Sequence, residues 1–261
     1  MYPYDIFAGI DLYVIMLCVA VLGALTVYGY LSGRRGIGAK LHNLCLYNAV
    51  AAVVFGYFSA VIFQAFYNIP KYGELRIDSQ TGATFYGGLI GGAGLFLAIY
   101  FLVGARLFSK TREHINKFWT VADIGAACIA IAHGFGRIGC LMAGCCHGAR
   151  TDKWYGIYMK AVGARVVPIQ LFEAIFLFAL FALLFYRALK GKTYNLPIYM
   201  GTYGVWRFFI EYARDDYRGF SAVKFLTPSQ LTAVVMVLGA AALFVLEYKY
   251  VKKQEAKENE E

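Results

Sequence analysis

Apolar residues in this chain run nearly unbroken for stretches of about 20 positions, separated by short polar segments. A helix needs about 20 such residues to cross a bilayer's ~30 Å of hydrocarbon. Seven runs are predicted to do so, at about 12–31, 44–67, 85–108, 118–142, 168–189, 197–212 and 228–248. The sixth is the shortest and the most polar. The pattern predicts an all-α integral membrane protein built as a bundle of seven transmembrane helices. No internal repeat or low-complexity linker divides it, so 1–261 is expected to form a single polytopic domain with a polar tail from about 249.

Composition agrees with this reading. The chain is 60% hydrophobic and 16% charged, where a soluble domain carries roughly 25% charged residues. Its 21 Tyr, 21 Phe and 3 Trp supply interfacial anchors. The net charge of +9 is spread over the loops rather than gathered in one patch, which argues against a nucleic-acid partner. Lys and Arg favour alternate loops, with Arg106 and Arg187 counted with the loops they border. That bias places the N-terminus outside and the C-terminus in the cytoplasm. The opening MYPYDIFAGID has no basic residue ahead of its apolar run, so a cleavable signal is not expected and the first span is retained.

Two arginines change the picture, because they lie inside predicted spans. Arg137 sits in AHGFGRIGCLMAGCCHG and Arg207 in GTYGVWRFFIEYARDD. A guanidinium in hydrocarbon costs at least a few kcal/mol unless it has a partner, a wet cavity or a charged ligand. Its planar fork of five donors suits phosphate or carboxylate. Tyr203, Arg207, Glu211 and Arg214 follow one another at spacings of four, four and three, which sets them on one helical stripe. His133, Arg137 and Cys140 share a face in the same way. An Arg207–Glu211 ion pair that merely ties helices together is the bland alternative, although buried pairs are weak contributors to stability.

Glycines 134, 136, 139, 144 and 148 crowd the fourth span, either for close helix packing or to break the helix near Gly144. The third span opens with Tyr86-Gly87-Gly88-Leu89-Ile90-Gly91-Gly92, where a lipid headgroup or a neighbouring helix is expected to approach the backbone. No βαβ unit surrounds these glycines, so they are not a dinucleotide fingerprint. With the N-terminus outside, all three motifs converge on the outward half of the bundle.

Cys18, Cys45 and Cys128 sit singly in spans and read as small buried hydrophobes. Cys140, Cys145, Cys146 and His147 are different, since thiols near an arginine ionise more readily and serve as nucleophiles or redox groups. No Cys-x-x-Cys pairing is present, so neither a metal nor a cofactor is expected. A disulfide from Cys140 to Cys145 or Cys146 stays open, as does passive packing. The basic, aromatic loop 147–167 reads as a lid or an ordinary interfacial loop.

Together these motifs resemble the bacterial prolipoprotein diacylglyceryl transferases. The family signature Gly-Arg-x-Gly-Asn-Phe-x-Asn-Gly-Glu is matched by Gly136-Arg137-Ile138-Gly139-Cys140-Leu141-Met142-Ala143-Gly144-Cys145. Its His-Gly-Gly segment is similar to Tyr86-Gly87-Gly88. Its late Tyr-Gly-x-x-Arg-Phe-x-x-Glu-x-x-Arg is similar to Tyr203-Gly204 through Arg207-Phe208, Glu211 and Arg214. Pro168-Ile169-Gln170-Leu171-Phe172-Glu173 and Ser229-Gln230-Leu231 resemble two further segments.

The resemblance implies a seven-span enzyme of the bacterial inner membrane whose site opens outward. It also implies a phosphatidylglycerol donor drawn from the membrane lipids, and a prolipoprotein lipobox cysteine as acceptor. Arg207, Glu211, His133, Tyr86, Cys140 and Cys145 are then the catalytic candidates. Arg137, Gly87, Gly88, Gly139, Tyr203 and Arg214 are the substrate-binding ones. Three of the departures from the family motifs bear on the chemistry: Tyr86 replaces His, Cys140 replaces the first signature Asn and Cys145 replaces Glu. Tyrosine, with a free pKa of about 10, is a poor base near neutrality, so His133 is expected to supply the missing base. The alternatives are a paralogue serving another thiol acceptor, a covalent role for Cys140 or Cys145, and a thiol redox membrane protein using Cys140, Cys145 and Cys146. An anion transporter is less well matched, for lack of repeated halves.

Overall fold

The structure is a computed structural model describing residues 5–7, 10–78, 81–214 and 225–258. It is helical throughout, apart from two short hairpins. Two compact units emerge, Met1–Arg35 with Trp119–Glu261 and Gly36–Phe118.

The larger unit contains a short pairing of β1 (Asp5–Phe7) with β2 (Ile10–Asp11), then α1 (Leu12–Arg34), α5 (Phe118–Ala143), α6 (Ile169–Leu189), α7 (Asn195–Ile210) and α8 (Pro228–Glu258). Asp11 starts α1 by accepting the Val14 amide at 2.9 Å, which satisfies one of the four amides left free at a helix start. At the start of α8, the Thr227 hydroxyl accepts the Gln230 amide while the Gln230 side chain accepts the Thr227 amide at 3.0 Å. This reciprocal cap is followed by Pro228 in the first helical position, where its missing N–H is harmless. The smaller unit contains α2 (Ala39–Tyr72), α3 (Phe85–Leu107) and the single turn α4 (Glu113–Asn116).

Among the described residues six helices are long and apolar enough to cross a membrane, which identifies an integral membrane protein: Leu12–Arg34, Ala39–Ile69, Gly87–Leu107, Phe118–Ala143, Ile169–Leu189 and Pro228–Lys257. The predicted sixth span is α7, which has 16 residues and hands over to one 3-10 turn, Glu211–Ala213. At 1.5 Å per residue it covers about 24 Å, short of a full bilayer core. α8 continues as helix to Glu258, through most of the expected polar tail.

The start of α7 is fixed by two carboxylates from other helices. Asp123 of α5 accepts the Asn195 amide at 2.7 Å, and Glu247 of α8 accepts the Tyr194 amide at 2.9 Å. Both acids are buried, and anions are favoured at a helix N-terminus. Arg187 adds a bond to the Asn195 side chain at 3.0 Å and one to the Thr193 carbonyl at 2.7 Å. Asp123→Ala is expected to destabilise the protein by about 1–3 kcal/mol, since it leaves a buried amide unpaired. Thermal unfolding in detergent reads this out, and an unchanged midpoint would contradict the capping role.

Candidate active site

The end of the larger unit opposite this cap brings together the end of α5, the beginning of α6, the end of α7 and the beginning of α8. Alternating helix direction explains the meeting: Arg137 lies near the close of α5, Glu173 one turn into α6, Arg207 near the close of α7 and Ser229 at the opening of α8.

The side chains form one connected polar network. Arg137 Nε pairs with Glu173 Oε2 at 3.0 Å. Tyr203 donates its hydroxyl to Glu173 Oε1 at 2.6 Å and lies 3.5 Å from Arg137 Nη2. Arg207 Nη2 pairs with Glu211 Oε2 at 2.8 Å and donates to the Ser229 hydroxyl at 2.9 Å. Glu211 also accepts from the Thr227 hydroxyl at 3.0 Å, and Arg214 Nε approaches it at 3.9 Å. Glu173 feels both Arg137 and Arg207 electrostatically, so the two guanidiniums bear on one carboxylate.

Each of the two span arginines therefore has a carboxylate of the protein's own beside it, as the bland reading required of Arg207. Two observations take the arrangement further. Among the described residues Arg137 pairs with Glu173, and Glu211 pairs with Arg207 and is approached by Arg214, so three guanidiniums crowd one end of the helices. Arg207 is 8% exposed, and its Nη1 is buried without a hydrogen-bond partner among the described residues. A buried donor left unpaired costs about 1–3 kcal/mol, which an anion reaching it would relieve.

His133 stands behind the arginines. Its Nδ1 shares a hydrogen bond with the Tyr199 hydroxyl at 3.1 Å, and its ring meets Tyr203 edge-on at 4.6 Å. Tyr199 and Tyr203 stack in parallel. This fixes the imidazole beside the network.

The neighbouring chain is braced by β structure absent from the sequence reading. β3 (Ile157–Met159) pairs antiparallel with β4 (Ala164–Val166). Gly148 bridges Arg214, and the Gly148 amide donates to the Val167 carbonyl at 2.9 Å while the Ala149 amide donates to Ala213 at 3.1 Å. A Cβ on Gly148 would lie 2.7 Å from the Ala213 carbonyl oxygen, so only glycine lets the loop reach the end of α7. The hairpin docks on the end of α5 through Met159 and Val166 against Leu141. The loop expected to be a lid or an interfacial strap is thus a hairpin that holds Arg214.

α5 does end at Ala143, with Gly144 left-handed at φ 74°. Beyond it the thiols of Cys140, Cys145 and Cys146 gather within 4.8 Å of one another. All three cysteines are free. Hydrogen bonds from the thiols of Cys140 and Cys145, then the charges of Arg214 and Arg137, pull the Cys146 thiol below the usual range despite its burial. Gln170 donates to the Cys145 carbonyl and fixes the turn.

The remaining expected residues are placed as follows. Gly139 faces Tyr13 and Met16 of α1. Gly87 and Gly88 belong to the smaller unit, where a Cβ on Gly87 would lie 2.6 Å from Phe63 Cβ and 2.8 Å from the Ser59 carbonyl oxygen of α2. There the neighbouring helix occupies the space that the two glycines leave. Tyr86 is in the first turn of α3, and its side chain lies outside the described residues. The sequence reading assigned no role to Glu173, Ser229, Thr227 or Tyr199. The signal for Glu173 was there, as a carboxylate one turn into an apolar run.

Comparison with known proteins bears directly on this geometry. The profile of the family described as prolipoprotein diacylglyceryl transferase matches residues 4–246. The chain is 31% identical over 243 residues to phosphatidylglycerol–prolipoprotein diacylglyceryl transferase 2 of Clostridium perfringens, covering 89% of each chain. It is 30% identical to the transferase of that name in Clostridium tetani, over 92% of this chain and 93% of the relative. The Clostridioides difficile relative is 27% identical over 97% and 96%.

Proposed function

Since the chain belongs to the prolipoprotein diacylglyceryl transferase family, we propose that it transfers the diacylglyceryl group of phosphatidylglycerol to the thiol of a lipobox cysteine in exported prolipoproteins. The observation that carries this is Arg207 Nη1, buried and without a hydrogen-bond partner among the described residues, in the same network as the Arg137 pair. A phosphodiester headgroup brings an anionic acceptor for that donor.

In the reaction the acceptor sulfur attacks the glyceryl carbon bonded to the phosphate oxygen. A C–S bond forms, that C–O bond breaks, and glycerol phosphate departs with the bonding pair. Arg137 and Arg207 stabilise the charge that grows on the leaving phosphate, which in a dry site is usually the largest catalytic contribution. Glu173 and Tyr203 hold the Arg137 fork, while Glu211 and Ser229 hold that of Arg207. The thiol proton passes to His133, which stands in for the family histidine that Tyr86 replaces. Seven spans, an external N-terminus, a cytoplasmic C-terminus and a site opening to the outer side of the bacterial inner membrane complete the proposal. They bring the lipid and the exported preprotein to the same end of the helices.

His133→Gln is expected to lower turnover by about 10²–10⁴-fold, the usual contribution of general acid–base catalysis, with folding intact. Near-normal turnover would assign the proton to Glu211 or bring forward a covalent Cys140 or Cys145. Intact-mass measurement during turnover distinguishes these, since a covalent intermediate adds the diacylglyceryl mass to the chain. The activity itself is tested with the full-length protein in phosphatidylglycerol vesicles and a lipobox peptide. The peptide should gain the diacylglyceryl mass as glycerol phosphate is released in equal amount. No release with well-folded protein would refute the proposal.

A further inference from the structure

With His133 as base, the thiol cluster at the end of α5 has no step in the transfer. We propose that Cys140, Cys145 and Cys146 form a three-thiolate site for a soft cation, with cuprous copper the ion that fits it. Their sulfur atoms all lie within 4.8 Å of one another. A planar three-sulfur site with bonds of about 2.3 Å needs sulfur separations of about 4 Å, so small side-chain rotations close the gap.

The backbone is built to make this meeting. Gly144 at φ 74° and Cys146 at φ 60° are both left-handed, folding the chain back so that the two later thiols reach Cys140. Glycine adopts that conformation freely, whereas a cysteine there is strained, and such strain gathers at functional positions. The turn is held from outside the thiols, by the Cys145 amide on the Cys140 carbonyl at 3.2 Å and by Gln170 on the Cys145 carbonyl. The arrangement is therefore set before any ion arrives.

A disulfide uses the cluster poorly. Three thiols leave one over, and a bridge between the adjacent Cys145 and Cys146 is geometrically strained. The number of ligands selects the metal. Among the described residues no histidine, carboxylate or fourth thiol completes the group. Structural zinc sites take four protein ligands, whereas soft thiolates select cuprous ion, which accepts three. Cys145 is exposed and offers a way in. Arg137 and Arg214 act electrostatically on the cluster and offset the charge of three thiolates around a monocation. Binding exchanges the copper's bonds to its carrier for three Cu–S bonds and releases the proton of each cysteine that is still a thiol, with no change of oxidation state.

The test is a titration of the reduced full-length protein in detergent, without oxygen, using cuprous ion carried by a chromophoric chelator. Native mass spectrometry counts the bound ions. One ion per chain is expected. Cys146→Gly, which suits the left-handed backbone, should weaken binding by at least ~100-fold, beyond the usual effect of losing a supporting group. Cys145→Ser, which leaves the turn intact, should do the same, and Cys18→Ser in α1 should change nothing. The proposal is overturned if the chelator keeps its copper against wild type, or if either turn variant binds like wild type. It is also overturned if equimolar zinc displaces the cuprous ion, because that would reveal a four-coordinate site. None of these readings depends on transferase activity.

Discussion

Arg207→Lys is expected to lower transfer turnover by about 10²–10³-fold while the protein remains folded, the loss seen when one preorganised donor to a developing anion is removed. Charge is kept in this variant, so what it removes is geometry. Arg207 spends Nη2 on Glu211 at 2.8 Å and on Ser229 at 2.9 Å, while its buried Nη1 has no hydrogen-bond partner among the described residues. One ammonium cannot hold both anchors and also present a second nitrogen in a fixed plane. The check is turnover in phosphatidylglycerol vesicles at saturating lipid, with a thermal midpoint to confirm folding. If lysine works nearly as well as arginine, Arg207 is a structural tie and the phosphate sits elsewhere.

Glu173→Gln is the second large effect, and it falls first on stability. Glu173 is fully buried, pairs with Arg137 at 3.0 Å and accepts the Tyr203 hydroxyl at 2.6 Å. Removing one partner of a buried pair costs about 3–5 kcal/mol, because the other charge stays buried alone. The double variant Arg137→Gln with Glu173→Gln should recover most of that loss and have almost no turnover. A double variant no more stable than the single one would show that the pair is not what the charges are for. Stability thus separates the pair's structural role from its part in the reaction.

The apolar runs announced the long helices because membrane burial is written in composition: α1, α3, α5 and α6 start and stop within a few residues of the predicted spans. The run at 197–212 is as long as α7 but lies two residues late, since the apolar-looking stretch continues past Ile210, where the backbone leaves the α-helix for a 3-10 turn. The hairpin was hidden because Ile157-Tyr158-Met159 and Ala164-Arg165-Val166 are only three residues each, too short for alternation to stand out.

Within the site, the stripe from Tyr203 to Glu211 and the face of His133 and Arg137 could be read from helical spacing alone. Partners from other helices could not. Glu173 and Ser229 meet the arginines through tertiary packing, which periodicity within one helix does not encode. The three cysteines stood out in the sequence, but the meeting of all three thiols did not, since it depends on a left-handed Cys146 that no spacing rule anticipates. Gly87 and Gly88 left two neighbours open, a lipid headgroup or another helix, and within their own unit it is α2 that packs against them.

The account stands on transfer of a diacylglyceryl group by this chain. Its most direct test is complementation of a bacterium depleted of its own transferase, reading the mass of a resident lipoprotein. Expression of the intact chain should restore the diacylglyceryl mass increment on the lipobox cysteine, and Arg207→Lys at equal abundance should leave the lipoprotein largely unmodified. An unmodified lipoprotein in cells holding abundant, membrane-inserted wild-type chain would contradict it.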